Sequence, residues 1–161
     1  MRILVIGGGP AGYTAAIRAA QLGGQVTLVE KDALGGTCLN RGCIPTKALL
    51  HSAHLLHSIR RAGEVGIRVT DASVDLPGLM DYKQGVVARL RQGLQGLMAQ
   101  NRVRVVSGSA ALVSAGKAIV KDSGEEIEAD AIIVAPGSRP RGLPAAQGVS
   151  VWGSDEALSQ S

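Results

Sequence analysis

An unbroken apolar run, Ile3-Leu4-Val5-Ile6, opens the chain. A short β-branched run without alternation predicts a parallel strand covered on both faces. A glycine cluster follows, and an Ala-rich stretch over residues 11–22 predicts a helix. Residues 26–29 predict a second strand, ended by Glu30. The apolar spacing then lengthens to the helical period. Leu49, Ala53, Leu56 and Ile59 share one face of a helix predicted over 45–60, and a loop through Gly63 and Gly66 follows. Leu79, Val86, Val87, Leu90, Leu94, Leu97 and Met98 mark a long amphipathic helix reaching about Gln100. Gly85, Gly93 and Gly96 each weaken it by up to about 1 kcal/mol relative to Ala, and are expected to let it pack closely on the preceding helix. Residues 103–106 predict a third parallel strand. Residues 110–113, 117–121 and 126–129 alternate between turns at Ala115-Gly116 and Ser123-Gly124, the pattern of a three-stranded antiparallel meander. Residues 131–134 predict a buried strand, 137–148 an exit linker and 152–161 a short terminal segment. The fold class is therefore α/β: a central parallel sheet with helices, plus a β-meander, in a Rossmann-like arrangement.

The glycine cluster Gly7-Gly8-Gly9-Pro10-Ala11-Gly12 fits G-x-G-x-x-G between the first strand and the first helix. Each position has a mechanical reason. Gly7 permits the tight turn, Gly9 lets the backbone approach a pyrophosphate, and Gly12 lets helix and strand pack closely. The helix start offers free N–H groups and partial positive charge to phosphates. Glu30, at the end of the second strand, can accept hydrogen bonds from ribose hydroxyls. The motif predicts a dinucleotide and does not separate FAD from NAD.

The only two cysteines, Cys38 and Cys43, lie in Gly36-Thr37-Cys38-Leu39-Asn40-Arg41-Gly42-Cys43-Ile44-Pro45-Thr46-Lys47. Bridging them closes a loop of about six residues, worth roughly 2 kcal/mol, which is little for a structural staple. In a regular helix, residues five apart lie about 140° apart with Cα atoms about 8–9 Å apart. A disulfide needs about 4.4–6.8 Å. If the pair oxidises, any helix there must be distorted or just beginning. Gly42 and Pro45 suit such a break. Two thiolates alone do not complete a metal site. His51, His54 and His57 follow at three-residue spacing and read as a solvated helical face, so no metal is expected.

With both motifs in view, the chain resembles the N-terminal part of the flavin-dependent pyridine nucleotide–disulfide oxidoreductases, nearest to the dihydrolipoamide dehydrogenase type. Gly-Gly-Thr-Cys-Leu-Asn-x-Gly-Cys-Ile-Pro-Thr-Lys carries the likeness, which runs from Met1 to about Leu158. The resemblance implies an FAD-binding domain with a redox disulfide over 1–150. It implies that 151–161 leads to an absent nicotinamide-binding domain, so NAD or NADP is expected only with that domain. It implies FAD contacts at Gly7, Gly9, Pro10, Ala11, Gly12, Glu30, Lys31, Gly36, Thr37, Cys43, Lys47, Ala110, Gly137 and Ser138. Glu30 would meet the adenosine ribose, Ala110 the adenine end, and Lys47 the flavin N5. Cys38 would be the interchange thiol that attacks the substrate disulfide, and Cys43 the thiolate against the flavin. Pro136 stands where the family carries threonine, which removes a hydroxyl and a backbone donor.

The implied substrate is a small-molecule or lipoyl-bound disulfide or dithiol. Leu39, Ile44 and Thr46 favour the lipoamide type over mercuric or glutathione reductase. A non-catalytic flavin- or nucleotide-binding module is the alternative of a different class. A thiolate nucleophile needs nearby positive charge, and Arg41, Lys47 and a helix start are the candidates. Full-length relatives in the family add a nicotinamide domain, a return segment of the FAD domain and a dimerisation domain with the His–Glu acid–base pair. A homodimer is thus expected of the full-length form. The chain alone is expected not to complete NAD-linked turnover. Without the return segment, the strand at 131–134 would present an open apolar edge, favouring weak FAD affinity or self-association.

Composition narrows the classes further. The chain has 161 residues, 45% hydrophobic, with no Phe, one Trp and two Tyr, so aliphatic side chains must fill the core. One domain is expected. No apolar run reaches about 18 residues, so no membrane helix is predicted. Met1 leads directly into a strand, and the cytoplasm is the expected location, where a close cysteine pair is more often catalytic than structural. The net charge of +4, without a basic run or aromatics, argues against nucleic acid as a partner.

Overall fold

A computed structural model describes residues 1–141, 148 and 150–159. Its centre is a four-stranded parallel sheet built from β1 (Arg2–Ile6), β2 (Gln25–Glu30), β3 (Arg104–Ser107) and β7 (Ala131–Val134). The order across the sheet is β3-β2-β1-β7. Leu4 pairs with Thr27 on one side and Ile132 on the other, so β1 is central. The chain leaves β1 toward β2, yet β7 lies on the opposite flank. Strand order therefore reverses at the C-terminal end of β1, where open α/β sheets place their ligands. The glycine cluster begins there.

The two faces of the sheet bury different partners. Val5 and Leu28 point to one face, where Ala16, Leu94, Met98 and Val103 complete a core with α1 (Pro10–Gln21) and α4 (Leu76–Gln100). Leu4 and Val29 point to the other, against Ala118, Val120, Ile127 and Ala129. Those four belong to or adjoin the meander, whose strands are β4 (Ala110–Ser114), β5 (Lys117–Val120) and β6 (Glu126–Glu128). The meander pairs antiparallel in the order β4-β5-β6, as its alternation predicts. The doubly covered sheet explains why β1 reads as a continuous apolar run.

The structure departs from the expectations in four places. First, residues before Pro45 are helical too. α2 (Gly36–Arg41) and α3 (Cys43–Arg60) abut at Gly42, which sits at φ −140° and ψ −106°. Pro45 is the third residue of α3, where its missing N–H would have had no intrahelical partner. Second, α4 begins at Leu76, ahead of its first strongly periodic residue, with a proline in the opening turn. Third, α4 packs on α3 without help from its glycines: a Cβ on Gly85, Gly93 or Gly96 would meet nothing within 4 Å. Fourth, β7 is half-covered rather than buried. Ile133 and Val134 are 36% and 57% exposed, because β7 has a strand neighbour on one flank only among the described residues.

Of the exit linker expected at 137–148, residues 142–147 lie outside the described residues. In the terminal segment, α5 (Ser154–Leu158) rests against α2. Lys83 of α4 is buried and donates from Nζ to the Leu158 carbonyl at 2.6 Å. Among the described residues, no helix is long and apolar enough to cross a membrane.

Candidate functional site

Gly7 takes φ +104°, a conformation that only glycine reaches without strain. A Cβ there would strike the Ala135 carbonyl, and a Cβ on Gly12 would strike the Gly7 carbonyl. Both glycines are thus required by packing of the chain on itself. Gly9 differs. Its φ of −73° suits any residue, and a Cβ would meet only the Gly36 Cα at 3.8 Å. Packing alone does not demand glycine at that point, and the backbone there is open to close approach. α1 starts beside it. The Tyr13 N–H is the first to join the ladder, donating to the Gly9 carbonyl at 2.9 Å, so the N–H groups of Ala11 and Gly12 head the helix ahead of it.

Glu30 ends β2 beside this turn. Its Oε2 accepts from the Gly8 N–H at 2.5 Å and its Oε1 from the Asp32 N–H at 2.9 Å. A carboxylate has about four acceptor sites, so about two remain. Gly7, Glu30, Lys31, Ala110 and Pro136 line one cavity of about 190 Å³. Gly137 and Ser138 follow on the exposed loop and do not line it. Gly108 and Ser109, which do, carry no sequence signal that separates them from an ordinary turn.

The two motifs, separate in sequence, meet through their backbones. The Gly35 N–H donates to the Gly8 carbonyl at 2.8 Å. Gly36, at φ +58°, faces Gly9, and a Cβ there would come within 2.7 Å of the Gly9 Cα. α2 therefore begins directly against the glycine turn. It presents Thr37, exposed, and Cys38, half-buried. The break at Gly42 brings Cys38 and Cys43 to a Cα–Cα separation of 4.6 Å, and the two are joined as a disulfide. The distortion required by helical geometry is this break. Cys43 and Lys47 are exposed on the first turns of α3. Arg41 is largely committed elsewhere, because its guanidinium pairs with Asp32 at 3.2 Å.

Cys38 also lines a second cavity of about 560 Å³, walled by Pro10, Tyr13, Leu39, Ile44, Leu90, Leu94 and Leu97. Its surroundings are almost wholly apolar. Behind Cys38, the Asn40 amide donates to the carbonyls of Ala33, Leu34 and Gly36 at 3.3, 3.0 and 3.0 Å. Its Oδ1 accepts from Arg91 Nε at 3.0 Å. Sequence reasoning missed this pair, since nothing local marks a partner so far along the chain. His51, His54 and His57 stand exposed on α3, and among the described residues no cluster of His, Cys, Asp and Glu suits a metal ion.

The family model described as "Pyridine nucleotide-disulphide oxidoreductase" matches residues 1–161. The chain belongs to the pyridine nucleotide-disulphide oxidoreductase family. Among its relatives is the dihydrolipoyl dehydrogenase of Bacillus subtilis, 47% identical over 167 aligned positions, with 100% of this chain and 36% of that protein covered. LpdA from Mycobacterium tuberculosis superposes with a TM-score of 0.81 at 32% identity, over 91% of this chain and 34% of its own. The HOCl-induced flavoprotein disulfide reductase RclA from Escherichia coli gives a TM-score of 0.79 at 27% identity, over 99% of this chain and 34% of its own. The chain thus spans about a third of the length of these members of the pyridine nucleotide-disulphide oxidoreductase family.

Proposed function

We propose that this chain is the FAD-binding and redox-disulfide portion of a dihydrolipoyl dehydrogenase-like flavoprotein. The observation that carries the proposal is the junction of the two motifs. A bridged Cys38–Cys43 pair is held on helices whose start is hydrogen-bonded to the dinucleotide turn through Gly35 and Gly8. The flavin, when bound, supplies the two-electron relay between a nicotinamide and the cysteine pair.

In this reading, the open approach at Gly9 and the N–H groups of Ala11 and Gly12 receive the pyrophosphate, with Pro10 setting the helix start. The remaining acceptor sites of Glu30 take ribose hydroxyls, while Lys31 and Ala110 border the adenosine end. Gly36 and Thr37, at the start of α2 against the glycine turn, would hold the cofactor next to the pyrophosphate. Cys43 and Lys47 offer their exposed side chains to the flavin, and Gly137 and Ser138 contact it from the loop after β7. Cys38 serves as the exchange nucleophile, forming a mixed disulfide with substrate that is resolved within the pair.

The cavity beside Cys38 supports the lipoyl class of substrate. Its aliphatic wall suits a dithiolane ring on a hydrocarbon arm, whereas a charged tripeptide disulfide would leave polar groups unpaired there. Residues 1–150 form the FAD unit, and 151–161 lead toward a nicotinamide-binding domain. The full-length protein is a cytoplasmic homodimer that takes its nicotinamide and its acid–base pair from further domains. Absorbance of the protein purified from its full natural reading frame tests the reading. Bound flavin and a long-wavelength band on two-electron reduction are expected, the band disappearing in Cys43→Ser. Protein that takes up no added FAD would refute it.

A further inference from the structure

Arg91 and Asn40 join the longest helix of the domain to the segment between the two cysteines. α2 is only six residues long and has no side-chain cap at its start. In the oxidised protein, the bridge to Cys43 holds it to α3. Once the bridge opens, that covalent restraint is gone. The Asn40 amide, through the carbonyls of Ala33, Leu34 and Gly36, then ties α2 to the loop before it, alongside the exposed Arg41–Asp32 ion pair. On the opposite side of the amide, Oδ1 accepts from Arg91 Nε, which ties Asn40 to α4 as well. Arg91 is half-buried. Its neighbours Leu90 and Leu94 wall the cavity that Cys38 lines, so the guanidinium sits on the helix that faces the exchange thiol.

We infer that Arg91 is a positioning residue for the redox pair, acting through Asn40 to keep α2 in place while the pair is a dithiol. The inference rests on the reading of Cys38–Cys43 as redox-active. Its consequence is thermodynamic. The disulfide form is held by its own bond, so losing Arg91 weakens the dithiol form more. Reduction by two glutathione molecules breaks the Cys38–Cys43 bond, forms glutathione disulfide and leaves two protein thiols, with the glutathione protons balancing the new thiols. Removing Arg91 shifts this equilibrium toward the disulfide. A hydrogen bond from a charged donor supports a shift of about tenfold, equivalent to about 30 mV for a two-electron couple.

The test equilibrates the protein, expressed from its full natural reading frame, with glutathione buffers of graded ratio. Alkylation and mass spectrometry then read the Cys38 and Cys43 thiols. Arg91→Met is expected to hold the disulfide at about tenfold more reducing ratios than the parent, and Arg91→Lys, which keeps a donor, to fall between them. An equilibrium unchanged in Arg91→Met, whatever happens to its melting temperature, overturns the inference. A parent whose pair never reduces overturns instead the redox reading beneath it. Should Arg91→Met not fold, hydrogen exchange of the parent decides: the amides of residues 39–41 stay protected on reduction if the inference holds, and lose protection if it fails.

Discussion

Replacing Gly36 by Ala tests whether the meeting of the two motifs is a steric requirement. Gly36 takes φ +58°, a region that costs an L-residue roughly 1–2 kcal/mol. The new Cβ would also come within 2.7 Å of the Gly9 Cα, a backbone atom that cannot rotate away. Forced overpacking of that kind costs about 1–3 kcal/mol. The two effects act on one position and sum to about 2–5 kcal/mol. With a urea slope near 2 kcal/mol per molar, the unfolding midpoint should fall by about 1–2.5 M. Urea titration followed by far-UV circular dichroism reads it. Gly85→Ala is the matched control, since its Cβ would enter open space in the middle of α4. There the substitution should stabilise by roughly 0.5–1 kcal/mol. A Gly36→Ala midpoint equal to the parent's, with Gly85→Ala behaving as expected, would refute the backbone-to-backbone contact.

Other consequences follow from the core and its edges. Leu28 is fully buried on the helical face of the sheet, and Leu28→Ala should cost about 2–5 kcal/mol by chemical denaturation. The Arg2 backbone N–H, with its guanidinium, holds the Asp130 carboxyl below the usual carboxylate range. That stabilisation is present above pH about 4 and is lost as pH falls through the lowered native value. The stability difference between the parent and Asp130→Asn should therefore shrink on acidification below pH about 4; a difference that grows there would contradict it. The half-exposed edge at Ile133 and Val134 predicts self-association of the 161-residue chain, visible by light scattering and relieved by Val134→Lys.

The elements that dominate the fold were legible because each had one strong cause. β1 read as a buried strand because both its faces are covered. The meander read as such because alternation and two glycine turns agree. The cysteine spacing demanded a break in any helix spanning it, and the break is at Gly42. What escaped was decided by tertiary contact. α2 has no apolar period, so a helix of six residues left no signal. Gly85, Gly93 and Gly96 look like packing glycines, yet only the neighbouring helix determines whether anything approaches them. The Arg91–Asn40 hydrogen bond joins residues far apart in sequence, each unremarkable alone. At the site, the glycine turn and Glu30 were readable from their spacing. The close approach of Gly36 to Gly9, which unites the two motifs, required the folded chain.

The most direct test titrates the protein from its natural reading frame with dihydrolipoamide. Flavin absorbance is recorded while alkylation and mass spectrometry follow residues Cys38 and Cys43. The account predicts that the bridged peptide converts to a doubly alkylated one in step with a change in the flavin spectrum. A pair that is already unbridged in the oxidised protein, or that stays bridged while the flavin responds, would contradict it.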